Sequence, residues 1–286
     1  MKSDIILLGH GSGGKLSHEL LDDLIVPILS GIAQRDQNDA AILARQQGRL
    51  AFTTDSYVVD PIFFPGGSIG SLSIHGTVND LAVGGAIPLW LTCGMIIEEG
   101  LTVEELRRVV TSMKQAADEA GVRIVTGDTK VVHKGAADKL FINTAGVGVI
   151  PKGVEINARR ARPGDRIIIN GYIGDHGAAI VDARGELAIE NSIETDCQPL
   201  NGLVQAMLTT CPDIHCLRDA TRGGLATVLN EFATDSRVAL RIQRGRDDIR
   251  VRVRYSAEDR KRIDRLEDVR IRTPQGGEVP LMSVAD

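Results

Sequence analysis

The chain has 286 residues, 43 % hydrophobic and 25 % charged, with 31 Gly and a formal net charge of −5. That composition belongs to a folded globular protein and excludes a disordered or collagen-like chain; the length suggests about two domains. The charge is uneven, because residues 241–286 carry 12 Lys or Arg against 9 Asp or Glu, a net of +3, which leaves −8 on residues 1–240. An acidic body with 3 % aromatic residues argues against nucleic-acid binding, which needs clustered positive charge and stacking rings. Cys93, Cys197, Cys211 and Cys216 form no CxxC pair and point to a reducing, cytoplasmic setting. No apolar run reaches the ~18–20 residues of a membrane span.

In chain order, the first feature is His10-Gly11-Ser12-Gly13-Gly14-Lys15. Its backbone N–H groups suit phosphate oxygens, and Lys15 adds a point charge. The spacing is not that of a Walker A loop, and a Gly/Ser segment is as often a linker. Residues 50–59 predict a strand, followed by the breakers Asp60-Pro61 and Pro65-Gly66-Gly67. Residues 70–83 predict a short helix carrying Asn79 and Asp80, ended by Gly84-Gly85, and 87–97 a largely buried strand. Thr102 and Glu105 form a capping box ahead of an apolar stripe from Leu106 to Ala120, so 102–120 predicts a helix stopped at Gly121. Residues 122–126 and 140–150 predict strands separated by a polar loop holding Gly127-Asp128-Thr129-Lys130.

A turn at 161–165 leads into Arg166-Ile-Ile-Ile-Asn170, expected as a buried strand, and then a Gly-flanked turn with Asp175-His176. Helical periodicity returns at 198–209 and 222–233, and Ile249–Tyr255 alternates strictly, predicting a strand with an Arg face. A domain boundary is expected at 152–164. The resulting division is 1–155, 156–240 and an atypical basic tail, 241–286.

Three aspartates sit where elements meet Gly- or Thr-rich stretches: Asp55 in Thr-Thr-Asp-Ser, Asp80 in Val-Asn-Asp-Leu and Asp128 in Thr-Gly-Asp-Thr-Lys. Carboxylates converging from separate elements suit Mg²⁺, a hard ion that takes oxygen ligands and keeps substrate phosphates in its shell. Each alone is more often a turn-former or helix cap. Lys130, two residues beyond Asp128, is placed to meet a phosphate oxygen, or is a solvated surface lysine. Asp175, His176 and Asp219 are further candidates, although a single His is more often structural.

Taken together, GHGSGGK, TTDSYVVDPIFFPGGSIG, GTVNDLAVGGA, GDTKVV, KLFINTAGVG, GDHG and LRDATRGGL resemble the HypE family of hydrogenase maturation proteins over residues of about 5–240. That family is similar to aminoimidazole ribonucleotide synthetases, thiamine-monophosphate kinases and selenophosphate synthetases. The resemblance implies an α+β, aminoimidazole ribonucleotide synthetase-like two-domain fold, with a dimerising mixed sheet in the N-terminal domain and a second, α/β domain that is truncated here. It implies ATP-dependent dehydration of a carbamoyl group on a C-terminal Cys thiol to thiocyanate, supplying cyanide ligands for the iron of [NiFe] hydrogenase. It implies ATP held by His10, Gly11, Ser12, Gly13, Gly14, Lys15, Asn79, Asp80, Thr129 and Lys130, with Mg²⁺ on Asp55, Asp80 and Asp128. The implied partners are HypF for carbamoyl transfer, a HypC–HypD complex as cyanide acceptor, and a second copy of the chain.

The family ends in Pro-Arg-Ile-Cys, whereas this sequence ends Leu281-Met-Ser-Val-Ala-Asp286 with no Cys after Cys216. Residues 243–255 and 268–285 instead resemble a periplasmic stretch of RND-type efflux pumps, and a fusion joint is expected near residue 241; a genuine terminal strand pair turning at Pro274-Gln-Gly-Gly277 is the alternative. Two other functions therefore stand beside the dehydratase: a non-catalytic binding and dimerisation module of the maturation machinery, and an ATP-dependent phosphotransferase of the same superfamily.

Overall fold

The computed structural model describes residues 3–30, 40–162, 164–185, 193–221, 224–225, 227–229, 243–244, 247–248, 270–272 and 278–280. The chain divides into two compact units: Met1–Phe63 with Gly67–Asn157 and Cys197–Asp219, and Phe64–Gly66 with Ala158–Asp196 and Ala220–Asp286. This division is not continuous along the chain, because residues 197–219 pack with the N-terminal elements.

The first unit is built on four strands, β1 (Arg49–Tyr57), β4 (Ile87–Glu98), β5 (Arg123–Val132) and β6 (Leu140–Ile150); β2 (Phe63–Phe64) and β3 (Gly67–Ser68) are two-residue strands. The sheet order is β1-β6-β4-β5, with β1 and β5 at the edges. β6 pairs antiparallel with β1 and β4, while β4 and β5 run parallel, joined by a helical crossover. One face alternates into the core through Tyr57, Leu91, Cys93, Met95, Ile97, Leu140, Ile142 and Thr144. The other face stays open, with Leu50 65 % and Phe52 71 % exposed.

Two helices cover the closed face. α3 (Ile69–Val83) starts where the Ser68 hydroxyl accepts the N–H groups of Gly70 and Ser71. It is buried around most of its circumference, Ile74, Val78 and Ala82 being fully enclosed, because it lies between β1, β6 and α4 (Val103–Ala120). α4 begins at the expected capping box, Glu105 N–H donating to Thr102 Oγ1 (3.1 Å) while Thr102 N–H donates back to the Glu105 carboxylate (3.2 Å). It stops at Gly121, whose φ of 69° is the left-handed conformation that lacks a steric penalty only for glycine.

Ahead of the sheet lie α1 (Lys15–Leu20), a π-turn over Leu21–Ile25 and α2 (Val26–Ser30), with Leu20 and Leu24 fully buried. α6 (Asn201–Thr210) packs on α3 through Val204, Leu208 and Ala82, with Val154, Ile156, Ile214 and Leu217 around them. In the second unit, α5 (Asp175–Ala183) begins after Gly174. β7 (Gln243–Arg244) pairs with β8 (Asp247–Asp248), and β9 (Arg270–Arg272) with β10 (Glu278–Pro280).

Three expectations change. Gly127-Asp128-Thr129-Lys130 is not a loop but the middle of β5, whose parallel pairing with β4 supplies hydrogen-bond partners that local sequence cannot reveal. Arg166–Asn170 forms no strand; Ile167, Ile168 and Ile169 are 57 %, 84 % and 46 % exposed, so an apolar run alone did not secure a pairing partner. Asp175 and His176 open α5 instead of lying in a turn. The expected strand at 249–255 and the joint near 241 lie outside the described residues, as does most of the expected helix at 222–233.

Candidate functional site

The first grouping gathers at β1. Alternation along β1 turns Thr53, Asp55 and Tyr57 toward α3, and Asp80 faces them one helical turn beyond Thr77. Thr53 Oγ1 donates to Asp80 Oδ2 at 3.0 Å, and Asp55 Oδ1 accepts the Ser56 N–H at 2.8 Å. Asn143 on β6 holds this edge by donating to the Asp55 carbonyl (3.0 Å) and Ser56 Oγ (2.9 Å). Beneath the carboxylates runs a buried hydroxyl chain, Tyr57 Oη to Thr77 Oγ1 (3.1 Å), Thr77 to Thr144 Oγ1 (2.5 Å), and Thr144 donating to the Ser73 carbonyl (3.0 Å). Burial pushes the Tyr57 phenol well above its ordinary value, and the charges of Asp55 and Asp80 push it further.

Asp219 belongs here as well. Its carboxyl is raised above the ordinary value by burial first, then by the charges of Asp80 and Asp55, with Arg218 opposing. The charges of Asp80 and Asp55 thus reach Asp219, and carboxylate oxygens are the donors that Mg²⁺ takes. Among the described residues no three His, Cys, Asp or Glu side chains close to ligating geometry.

The second grouping lies at the opposite edge. The N-terminal turn Leu8–Gly11 runs along β5, where Gly11 comes so close to the Val131 amide that a Cβ would collide with it. Ser12, Gly13, Gly14 and Lys15 are exposed, while Gly13 N–H donates to Ser17 Oγ (2.9 Å) and Lys15 leans toward Glu19 (3.8 Å). Asp128 and Lys130 project on the open face of β5, with Thr129 between them turned toward the core. The loop and the Asp128–Lys130 stretch are thus brought together.

Asp128 is not brought to Asp55 and Asp80, contrary to the expected triad. The row Ser56, Asn143, Gly94, Asp128 crosses the whole sheet, so Asp128 stands three strand spacings, about 14 Å, from β1 and on the other face. Asp219 is instead the carboxyl on which the charges of Asp80 and Asp55 bear.

Other candidates have structural tasks. His10 is 2 % exposed and its Nδ1 accepts the Leu7 N–H (2.9 Å), so its ring faces inward. Asn79 spends its amide on the segment before α6, donating to the Gln198 carbonyl (2.9 Å) and accepting the Leu200 N–H (2.8 Å). In the second unit, His176 Nδ1 lies 3.0 Å from Thr195 Oγ1 and its ring meets Phe64 edge-on at 5.3 Å. Burial lowers that imidazole's pKa, opposed by Asp196, and Asp175 holds the first position of α5.

Sequence reasoning missed Thr53, Asn143, and a contact between Cys197 and His75. Alternation along β1 and β6 would have exposed the first two; the third joins residues 122 positions apart and left no local signal.

The order β1-β6-β4-β5 with its two covering helices defines the class of the chain. The family described as AIR synthase related protein, N-terminal domain, matches residues 37–150, and its C-terminal domain counterpart matches residues 162–270, running past the boundary expected at 240. This is a protein of the two-domain aminoimidazole ribonucleotide synthetase type. Among curated relatives, carbamoyl dehydratase HypE of Rhodobacter capsulatus is 51 % identical over 245 residues, covering 85 % of this chain and 72 % of the relative. The Escherichia coli K12 protein of the same name is 50 % identical over 233 residues, covering 80 % and 69 %. A solved hydrogenase maturation protein HypE in complex with ATP superposes with a TM-score of 0.75 at 53 % identity, covering 80 % of this chain and 68 % of that one. A HypE–HypF complex gives 0.65 at 46 % identity, covering 78 % and 71 %. The chain belongs to the HypE family of carbamoyl dehydratases, the hydrogenase maturation proteins.

Proposed function

We propose that this chain binds ATP with Mg²⁺ and dehydrates a carbamoyl group carried on a cysteine thiol to thiocyanate during hydrogenase maturation. The observation that supports the reading is a pair of groupings: the charges of Asp80 and Asp55 bear on Asp219 at one sheet edge, and an exposed glycine-rich loop carrying Lys15 lies against the Asp128–Lys130 stretch at the other. Asp55 and Asp80 would hold Mg²⁺ with Asp219 beside them. Ser12, Gly13 and Gly14 offer backbone to phosphate oxygens, Lys15 and Lys130 supply charge on the same side as Asp128, and the Thr129 hydroxyl is turned the other way. Bound ATP supplies a phosphoryl group that turns the carbamoyl oxygen into a good leaving group. The HypE relative solved with ATP supports the nucleotide, and the HypE–HypF complex supports HypF as the carbamoyl donor's carrier. A HypC–HypD complex as acceptor, a homodimer formed through the open sheet face, and a cytoplasmic setting complete the proposal. Among the described residues no helix is long and apolar enough to cross a membrane.

The kinase alternative draws on a likeness to a thiamine-monophosphate kinase of Stenotrophomonas maltophilia at 20 % identity and a TM-score of 0.51, which reaches the fold alone. Titration calorimetry tests the proposal: the parent binds Mg-ATP, and Asp80→Asn and Lys130→Ala each weaken it at least about tenfold, the loss of one charge-assisted contact. A parent that takes up no heat with Mg-ATP sinks it.

A further inference from the structure

Glycine sets how close α3 comes to the sheet. Gly146 on β6 pairs with Thr53 on β1, and a Cβ there would lie 2.9 Å from Thr77 Cγ2 and Leu81 Cδ1 on α3 and from Leu91 Cδ2 on β4. Gly76 likewise leaves room for the Tyr57 ring, so α3 lies tight against β1. The last turn of α3 thereby brings Asp80 within reach of Thr53, 27 positions earlier, whose hydroxyl donates to Oδ2 at 3.0 Å. The neighbouring hydroxyls end on one another or on the backbone: Tyr57 on Thr77, Thr77 on Thr144, Thr144 on the Ser73 carbonyl and Thr54 on the Thr144 carbonyl. Thr53 ends on a carboxylate.

That carboxylate has two reasons to turn away. Asp80 lies in the last turn of α3, where its carbonyl accepts the Gly84 N–H (3.2 Å) and the terminal carbonyls gather partial negative charge. The charges of Asp80 and Asp55 also bear on Asp219. Repulsion of this kind swings an unheld side chain toward solvent, and a hydrogen bond donated to one oxygen opposes it. Threonine suits the task, because two heavy atoms on Cβ restrict its first side-chain torsion. Thr53 and Asp80 are both half-buried, which shields their bond from competing water.

We propose that Thr53 is a positioning residue for the cation: its hydroxyl holds Asp80 in the orientation that takes Mg²⁺, and so sets a preference for Mg²⁺ over Ca²⁺. The role rests on the Mg-ATP reading above. A carboxylate held at one oxygen presents a fixed geometry; Mg²⁺ demands near-ideal octahedral coordination, whereas Ca²⁺ accepts a looser shell at longer distances. Loss of the hydroxyl therefore penalises the smaller ion more. Hydrogen-bond partners of ligating carboxylates are worth about 10–100-fold in metal affinity. Thr53 acts through Asp80 and is not itself a ligand.

The test is titration calorimetry of the whole chain with ATP, in Mg²⁺ and then in Ca²⁺. Thr53→Val keeps the shape and the strand preference of the side chain and removes only the hydroxyl. It is expected to weaken Mg-ATP binding about tenfold and Ca-ATP binding by less, a split that a residue engaged only in packing would not cause. Thr53→Ser should restore the parent's Mg²⁺ preference. Should Thr53→Val not fold by circular dichroism, the same comparison is read on Thr53→Ala. In the Asp80→Asn background Thr53→Val should change nothing further, because the charge it positions is already gone. A hydroxyl-free variant that binds Mg-ATP like the parent, that loses Mg-ATP and Ca-ATP equally, or whose loss adds to that of Asp80→Asn overturns this role while the nucleotide site stands. A parent that takes up no heat with Mg-ATP overturns both.

Discussion

Asp219 shows how a single carboxyl reports on its neighbours. Its pKa is raised in the folded chain by burial and by Asp80 and Asp55, so the ionised form is destabilising. For an acid raised on folding, the fold binds the proton more tightly, and stability falls as pH climbs from the ordinary carboxylate value through the raised one. Asp219→Asn removes the like charge. At pH 7 without Mg²⁺ the variant is expected to melt above the parent, with a flatter pH dependence above the ordinary carboxylate value. Added Mg²⁺ should raise the parent's midpoint more than the variant's. A scanning calorimeter showing a lower midpoint for the variant, or equal responses to Mg²⁺, would remove Asp219 from the proposed cation site. Asp55 and Asp80 were legible as site residues in sequence because each adjoins a strong element signal; Asp219's place was not, since it depends on 197–219 folding back onto the first unit.

At the level of helices and strands, local signals were accurate where they were redundant. Thr102 and Glu105, the stripe from Leu106 to Ala120 and Gly121 agree with one another, and α4 spans Val103–Ala120 as they require. Thr102→Ala should lower stability by about 1 kcal/mol, because the Glu105 N–H loses its acceptor and the Glu105 carboxylate loses the Thr102 hydroxyl. Urea unfolding would show this as a lower midpoint with an unchanged slope, and an unchanged midpoint would mean that packing alone holds the helix start. Signals failed where one cue stood alone. The Ile run at 167–169 has β-branched residues but no strand beside it, while Asp128 and Lys130, polar and bounded by glycine, lie in a strand because Gly94 and Ile96 pair with them. Strand formation is decided by neighbours distant in sequence.

For the whole molecule, the open sheet face is the feature with the widest consequence. Leu50, Phe52 and Ile96 are exposed on strands whose other face is dry, and a second copy is the occupant that the dimer proposal puts there. Phe52→Glu is then expected to shift sedimentation at micromolar concentration from dimer to monomer while leaving the circular dichroism spectrum intact. A parent that sediments as a monomer would exclude this face as a dimer interface.

Composition and short motifs were enough to settle the class of chain, the family, and the helices and strands around residues 50–150 apart from the stretch 127–130, because these depend on periodicity, caps and uninterrupted runs of matching residues. The grouping of charges was settled only by tertiary structure. Strand order put Asp128 at one sheet edge and Asp55 at the other, and the return of residues 197–219 brought Asp219 to the carboxylates and Cys197 to His75. Such contacts join residues more than a hundred positions apart, and no local preference encodes which edge a strand takes or which helix a returning segment covers.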